Sequence, residues 1–284
     1  MNSGPTAQRT TRAGRLNTGP GPVLMGILNV TPDSFSDGGE FFGVDPAVTR
    51  AEEMLDEDAR IIDVGGESTR PGADPVSPEE EMRRVVPIIQ GLLAARPGTV
   101  ISIDTYRAST AAAALDAGAS LINDVSALGD PEMAGVAAER DAPVVLMHML
   151  GEPKSMQKNP YYEDVVREVR DYLAGRAERA MAAGIAEENI ILDPGIGFGK
   201  TLEHNLKLLD RLDAIVGLGF PVLVGISRKS FLGKVVGSGD AKARLSATLA
   251  ANVMAYERGA TIFRVHDVRP NKEALEMAAA VRQV

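Results

Sequence analysis

The 284-residue sequence contains no cysteine, no tryptophan and only three histidines. Without cysteine there is no disulfide framework, no thiolate metal site and no cysteine nucleophile, and the chain suits a reducing compartment, so we expect a cytoplasmic protein. Metal chemistry is limited to oxygen or imidazole ligands. Three scattered histidines do not predict a zinc site of the two- or three-histidine kind.

The chain also lacks a positive charge excess and a long apolar run. Thirty Lys and Arg residues stand against 39 Asp and Glu residues, which gives a net charge of −9 and argues against nucleic-acid binding. No apolar run reaches the roughly 18 residues of a membrane span. We therefore expect a protein that binds neither membranes nor nucleic acid, in which any anion site is local.

Residues 1–22 have no acidic residue and are rich in Gly, Thr and Pro, with Arg9, Arg12 and Arg15 among them. They lack the apolar stretch of a secretory signal, and we predict a disordered N-terminal tail, with a transit peptide as the alternative. A single domain is predicted for residues 23–284, because α/β barrels of about 250 residues form single units.

Short β-branched runs alternate with longer amphipathic segments through this domain. The pattern predicts a single (β/α)8 TIM barrel of the α/β class, with an open sheet of six or seven strands as the rival topology. Strands are predicted at 23–30, 61–64, 100–104, 121–125, 144–148, 190–193, 222–226 and 261–265. Helices are predicted at 45–57, 78–95, 107–117, 131–140, 162–183, 202–216, 241–258 and 272–281.

Three helix-to-strand junctions share one spacing. Gly118, Gly259 and Asp58 each lie five residues before a polar strand residue, which predicts a left-handed residue just after each helix. Asp is a poorer left-handed residue than Gly, so we expect strain at Asp58.

Polar residues end every predicted strand. Any single one of them could be a helix cap or a turn residue. Strand side chains alternate between faces, however, and this periodicity places many of the polar ends on one face. If that face is the lumen, they converge at the carboxyl-end mouth, where barrel enzymes carry their active sites. The residues are Asn29, Asp63, Asp104, Asn123, Asp124, His148, Asp193, Ser227, Lys229, Arg264 and His266.

The segment from Asp193 to Thr201 ends in Gly-Lys-Thr and superficially resembles a phosphate-binding P-loop. A P-loop needs four residues between its first Gly and the Gly-Lys pair, and counting back from Gly199 gives Pro194 at that position. We therefore reject the interpretation that the chain is a nucleoside triphosphatase. The glycines are better explained by close approach of the backbone to a flat ligand above Asp193, with Phe198 as an apolar wall, or by a tight turn.

The histidines differ in their predicted roles. His148 is predicted to be a core or hydrogen-bonding residue at a strand end, and His204 lies on a helix. His266 follows Arg264 on the same face at the end of the eighth strand, where phosphate sites of barrels are frequent. A Mg²⁺ ion held mainly by substrate phosphates remains compatible with this residue set.

Eight ordered motifs in residues 23–284 resemble the dihydropteroate synthases, pterin-binding barrel enzymes of the folate pathway. They include Asn-Val-Thr-Pro-Asp-Ser-Phe-Ser-Asp-Gly-Gly from Asn29, Asp-Val-Gly-Gly-Glu-Ser-Thr-Arg-Pro-Gly from Asp63, Asp-Pro-Gly-Ile-Gly-Phe-Gly-Lys from Asp193 and Ser-Arg-Lys-Ser-Phe-Leu-Gly from Ser227. The remaining four are Ser-Ile-Asp-Thr, Ile-Asn-Asp-Val, Met-His-Met and Arg-Val-His-Asp-Val.

The resemblance implies condensation of 6-hydroxymethyl-7,8-dihydropterin pyrophosphate with 4-aminobenzoate, releasing pyrophosphate by a dissociative mechanism. It further implies a sulfonamide-target homodimer with Mg²⁺ as cofactor and Asn29 as the protein ligand of the metal. By the same resemblance the catalytic residues are Asp37, Arg70, Asp104 and Lys229. The substrate-binding residues are Phe35, Ser68, Thr69, Arg70, Pro71, Asp104, Asn123, Met147, Asp193, Phe198, Lys229, Ser230, Arg264 and His266.

Two alternatives remain open from the residues. A pterin-dependent methyltransferase would use a similar barrel and similar aspartates, but it would not require Ser-Thr-Arg-Pro-Gly, Ser-Arg-Lys-Ser or an anion clamp. A catalytically silent paralogue would bind the pterin without turnover. The departures from the family pattern, Asp58-Ala59 and Ala247-Thr248, are peripheral.

Overall fold

The structure is a computed structural model and describes residues 21–30, 44–68, 75–151 and 154–283. Within these ranges eight parallel strands form one sheet in the order β6-β5-β4-β3-β2-β1-β8-β7. A parallel bridge between Leu192 and Val222 joins the two ends of this order and closes the ring. The prediction of a (β/α)8 barrel is confirmed, and the open-sheet rival is wrong.

The strands are β1 (Val23–Asn29), β2 (Ile61–Gly65), β3 (Val100–Asp104), β4 (Leu121–Asp124), β5 (Val144–Met147), β6 (Ile190–Asp193), β7 (Leu223–Val224) and β8 (Ile262–Val265). The helices are α1 (Val44–Asp56), α2 (Pro78–Ala95), α3 (Ala108–Asp116), α4 (Met133–Glu139), α5 (Val165–Ala182), α6 (Leu202–Asp210), α7 (Asp213–Val216), α8 (Ser230–Val236), α9 (Leu245–Glu257) and α10 (Val268–Arg282).

The barrel has two apolar layers. Inside the ring, one residue from each strand and a second from β1 form a plug of Val23, Met25, Ile61, Val100, Leu121, Val145, Ile191, Leu223 and Ile262. Between strands and helices lies a larger cluster that includes Ile62, Ile101, Ile122 and Phe263. The alternation along each strand therefore separates lumen from outer layer, as the sequence periodicity predicts.

The junction residues adopt the predicted left-handed conformation. The φ angles are 109° at Gly118, 98° at Gly259 and 74° at Asp58. Asp58 is also paired with Lys272 of α10, a contact that the sequence spacing did not reveal.

Several element boundaries differ from the prediction. The predicted helix 202–216 is two helices, α6 and α7, and α8 was not predicted. Helix α10 begins at Val268, four residues before the predicted start at Lys272. Pro270 falls in its first turn, where the missing N–H costs no helical hydrogen bond.

Residues 1–20 of the predicted tail lie outside the described residues, and the domain boundary at residue 23 stays a prediction. No helix in the described ranges is long and apolar enough to cross a membrane.

Candidate active site

The lumen above the apolar plug is lined by polar side chains from several strands. Asp63 lies two residues beyond the plug residue of β2, Asp104 and Asn123 lie at the ends of β3 and β4, and Asp193 ends β6. Strand register pairs Asp104 with Asn123 and Met147 with Asp193. Charged groups from distant parts of the sequence thus meet at the carboxyl-end mouth.

Arg264 of β8 joins two of these carboxylates. Its Nε lies 2.6 Å from Oδ2 of Asp63, and its Nη2 lies 2.6 Å from Oδ2 of Asp104. Asn123 donates from Nδ2 to the same oxygen of Asp63 at 3.1 Å. Burial alone would lower the pKa of the guanidinium, but Asp63 and Asp104 raise it above its usual value, so Arg264 stays charged.

The two carboxylates keep unused hydrogen-bonding capacity. Within the described part of the chain, Oδ1 of Asp63 and Oδ1 of Asp104 are buried without a hydrogen-bond partner, as is Oγ of Ser102 between them in the lumen. Burial raises the pKa of Asp104 to about 7, although Arg264 opposes the shift. Buried acceptors without a partner are costly unless a ligand or water completes them, so this floor suits a ligand rich in N–H groups.

A second charged pair lies across the mouth. Asp193 is buried, and its Oδ1 accepts from the backbone N–H of Gly195 at 2.7 Å. Burial raises its pKa, against the opposing charge of Lys229. Burial lowers the pKa of Lys229 to about 8, while Asp193 acts in the opposite direction.

Lys229 also contacts the glycine-rich loop that follows β6. Its Nζ donates to the carbonyl of Ile196 and lies 4.5 Å from the centre of the Phe198 ring. The ring gives an apolar wall next to a cation, an arrangement that accepts a flat molecule with a negative end.

The turn after β7 is held in place by α9 and by the segment between β8 and α10. Arg228 has a φ of 59° and pairs through two nitrogens with Asp267, at 2.9 and 2.5 Å. Its backbone N–H donates to Thr248 at 3.1 Å, so the peripheral Ala247-Thr248 dipeptide does reach the turn that carries Lys229. Ser227 Oγ lies 3.0 Å from Nδ1 of His266, which brings His266 beside the same turn.

Asn29 ends β1 on the rim of the lumen and is registered with Gly65 of β2. A Cβ atom at Gly65 would lie 3.6 Å from Oδ1 of Asn29 and 3.4 Å from Cβ of Asp104, so the glycine leaves room beside the amide. Among the described residues there is no group of three or more His, Asp or Glu that could hold a metal. One amide oxygen fits Mg²⁺ only if phosphate oxygens and water supply the other ligands, which is how Mg²⁺ is usually bound.

The other predicted residues divide into two groups. Met147 is buried, Ser68 is half-buried at the end of the described segment after β2, and Ser230 is the exposed first residue of α8. Phe35, Asp37, Thr69, Arg70 and Pro71 lie outside the described residues, and their roles stay predictions.

Two residues, one in the mouth and one in the loop beside it, were not among the predicted site residues. Asp63 was recognised only as a polar strand end, although it lies two residues after the plug residue Ile61, a spacing that places it on the lumen face. Lys200 was considered only as part of the rejected P-loop. In the structure it is buried and turned into its own loop, so the rejection agrees with the geometry.

Comparison with known proteins identifies the family to which the chain is similar. Residues 25–266 match the family model described as "Pterin binding enzyme". The chain is 48% identical over 259 residues to dihydropteroate synthase of Escherichia coli, covering 91% of each chain. It is 50% identical over 264 residues to a probable bifunctional folylpolyglutamate synthase/dihydropteroate synthase of Haloferax volcanii, covering 92% of this chain but only 31% of that protein.

A solved structure has the same fold over nearly the whole chain. Dihydropteroate synthase of Xanthomonas albilineans with 4-aminobenzoic acid superimposes with a TM-score of 0.92 at 44% identity, covering 98% of this chain and 100% of that one.

Proposed function

The chain belongs to the pterin-binding enzyme family and acts as a dihydropteroate synthase, and we propose that the polar strand ends at its barrel mouth carry out the condensation. The observation that carries the proposal is the set of buried, partly unpaired carboxylates above the apolar plug. This floor fits the N–H-rich edge of a dihydropterin. The activity is a transferase reaction of folate biosynthesis.

The pterin is proposed to enter the lumen with its N–H-rich edge toward this floor. Asp193 accepts from the amino-pyrimidine edge with the oxygen that Gly195 does not use, and Asp104 and Asn123 meet the opposite part of the ring system. Lys229 donates to a ring acceptor from the side of β7. Met147 supplies apolar contact, and the guanidinium of Arg264, held between two carboxylates, stacks on the ring.

The leaving pyrophosphate is proposed to point away from the lumen, toward Asn29, Arg264 and His266. Mg²⁺, when bound by Asn29 and the phosphate oxygens, would neutralise charge that grows on the leaving group. His266 is oriented by Ser227 and adds a donor on the β8 side. The carboxylates beside the ring then stabilise the positive charge that develops on the pterin methylene as its C–O bond breaks.

The arylamine is proposed to attack this methylene from the side of Phe198 and Ser230. The amine is already nucleophilic, so the step needs no strong base and no covalent enzyme intermediate. Lys229 interacts with both half-sites because it lies against Phe198 and near Asp193. Phe35, Asp37, Ser68, Thr69, Arg70 and Pro71 are proposed to complete the pocket from the segments that follow β1 and β2 in the sequence.

The test is pyrophosphate release on mixing dihydropterin pyrophosphate, 4-aminobenzoate and Mg²⁺ with the protein, with formation of dihydropteroate followed in parallel. Release that depends on both organic substrates supports the proposal. Pterin binding without release would identify a silent paralogue. Methyl transfer to an acceptor without pyrophosphate chemistry would identify the methyltransferase alternative.

We also propose that the chain forms a homodimer through α9 and α10. Helix α9 exposes Met254 on its outer side, and α10 beside it exposes Met277 and Val281. A helix that is apolar on both its inner and outer faces usually has a partner on each. Light scattering that gives twice the chain mass, and one chain mass for Met254→Glu, would support this interface. A monomeric wild-type protein would refute it.

The reaction is proposed to take place in the cytoplasm, on the basis of the cysteine-free sequence.

A further inference from the structure

Lys200, the last residue of the glycine-rich loop between β6 and α6, is buried with 3% of its surface exposed. Its Nζ lies 2.9 Å from the carbonyl oxygen of Gly195, 2.9 Å from that of Phe198 and 2.9 Å from Nδ1 of His148. Burial lowers the pKa of Lys200 well below its usual value, and the charge of Asp193 opposes this shift. In its charged form the amine has three N–H donors, and these three acceptors satisfy all of them. Charged Lys200 then donates to Nδ1 of a neutral His148, whose pKa is lowered to about 3 by burial and by the charge of Lys200.

The loop that Lys200 holds is pressed against the chain segment that follows β5. A Cβ atom at Gly195 would lie 1.8 Å from the carbonyl oxygen of His148, and one at Gly199 would lie 2.5 Å from that of Leu150. Both glycines have positive φ, at 65° and 61°. Several carbonyl oxygens therefore crowd one small volume, and the ammonium between them offsets their mutual repulsion.

The other side of the same loop touches the reaction site. Lys229 donates to the carbonyl of Ile196, and a Cβ atom at Gly197 would lie 2.9 Å from Cδ of Lys229. Phe198 lies between the Lys200 contact at its carbonyl and the Lys229 contact at its ring. The positions of Lys229 and Phe198 thus depend on a loop whose fold is fixed by Lys200.

We propose that Lys200 is a positioning residue for the arylamine half-site, acting through the loop that presents Phe198 and Lys229 and not through contact with any substrate. The inference rests on the proposed function of that half-site. The Gly-Lys-Thr sequence resembles a phosphate-binding motif, but its lysine stabilises the fold of its own loop.

The test is steady-state kinetics of Lys200→Met, which removes the ammonium and keeps an unbranched side chain. We expect the KM for 4-aminobenzoate to rise tenfold or more. The affinity for dihydropterin pyrophosphate, measured by calorimetry, should change less than threefold even though Lys229 also contacts the pterin, because Asp104, Asn123 and Arg264 lie on strands outside this loop. Lys207→Met is the matched control, because this lysine lies on neighbouring α6 with its side chain 61% exposed. It should change neither value.

The proposal would be overturned if both substrates lost affinity by the same factor, or if the KM for 4-aminobenzoate did not change. A lysine with only a structural role would weaken binding of both substrates equally or of neither. If Lys200→Met does not fold, His148→Leu decides, since it removes one of the three acceptors. A KM for 4-aminobenzoate that rises at least threefold supports the proposal, and an unchanged one overturns it.

If the wild-type protein releases no pyrophosphate, the proposed function fails separately. The same variants are then compared by titration of 4-aminobenzoate in the presence of pyrophosphate and Mg²⁺. If Lys200→Met binds 4-aminobenzoate at least threefold more weakly than Lys207→Met does, the positioning role of Lys200 is supported. Equal affinities would reject that role.

Discussion

At the scale of single residues, backbone conformation and side-chain pairing act together at Asp58. Its left-handed φ of 74° disfavours a residue with a Cβ atom, while its carboxylate pairs with Lys272 at the surface. The hydrogen bond from Lys272 lowers the pKa of Asp58. Glycine at position 58 would relieve the backbone strain but would also remove this ion pair, so the net gain in stability is smaller than the backbone effect alone.

Asp58→Gly is therefore expected to stabilise the fold less in the wild-type background than in Lys272→Met. In the Lys272→Met background only the backbone effect remains, and we expect a gain of about 0.5–1 kcal/mol. Urea denaturation at pH 7 of the four proteins in this cycle measures both values. Equal gains in the two backgrounds would show that the pair contributes nothing.

Asp193 shows how burial and ligand recognition are joined in one side chain. Gly195 and Lys229 partly offset the cost of burying its carboxylate, and the remaining acceptor capacity is directed to the lumen. Replacing it with an amide changes one of its two acceptor oxygens into a donor NH₂ and removes the charge, while the shape stays nearly constant.

We expect Asp193→Asn to weaken binding of dihydropterin pyrophosphate by about 2–4 kcal/mol, the cost of losing charged hydrogen bonds. Calorimetry measures it directly, with Asp116→Asn as control, because Asp116 is on the surface of α3 with its side chain 67% exposed. Unchanged pterin affinity in Asp193→Asn would remove this residue from the pterin site.

At the scale of elements, the sequence predicted the boundaries of β3, β6 and α2 correctly, because each has a complete local signal. Ser77 caps α2 by accepting from the N–H of Glu80, and Pro78 opens the helix. Helix α8 escaped prediction because it is short and contains Gly233, which it needs: a Cβ atom there would lie 2.2 Å from the carbonyl of Ser238. That close approach is a tertiary fact without a local signature.

For the site, the sequence predicted which face of a strand a residue occupies but not its partner on another strand. The alternation of side chains along each strand predicted which polar residues at strand ends face the lumen. Which of them pair across the barrel depends on how the ring of strands closes. The Asp63–Arg264 pair joins residues 201 positions apart, and no local pattern couples them.

Another tertiary feature is the clip that joins the ends of β2, α2 and α3. Nη1 of Arg107 lies 2.7 Å from Glu67 and 2.7 Å from Glu81, and both carboxylates are buried. Glu67 also accepts from the backbone N–H of Val76, nine residues later. The clip thus ties together the two ends of the segment that begins with Ser68.

Arg107→Met is expected to lower the free energy of unfolding by about 3–5 kcal/mol, because it leaves two buried carboxylates without their cation. Urea denaturation measures the loss. Arg83→Met is the control, since Arg83 pairs with Glu80 on the exposed side of α2 and should show no measurable effect. A loss equal to that of the control would show that the cation of Arg107 does not stabilise these buried side chains.

At the scale of the whole molecule, the barrel assembles its site from charges that oppose its own stability. The apolar plug closes the bottom of the lumen, so the carboxylates above it are cut off from bulk water. Such groups are kept for function and not for the fold.

The free energy of unfolding should therefore depend on pH through the titration of Asp104. Its pKa is about 7 in the native state, because burial outweighs the attraction of Arg264, against about 3.9 when unfolded. Between these values the native state holds a proton that the unfolded state has lost, so this residue lowers the free energy of unfolding as pH rises from about 4 to about 7. We expect Asp104→Asn to gain stability relative to the wild-type protein over that interval, by a total on the order of 4 kcal/mol. Urea denaturation of both proteins at pH 4, 5.5 and 7 measures the difference. Asp58→Asn is the control: pairing with Lys272 lowers the pKa of Asp58, so its contribution is lost only below about pH 4 and its difference from wild type should stay nearly constant over this interval. A difference between Asp104→Asn and wild type that stays constant with pH would show that Asp104 is ionised throughout, held so by Arg264, and that the barrel mouth is less costly to the fold than its burial implies.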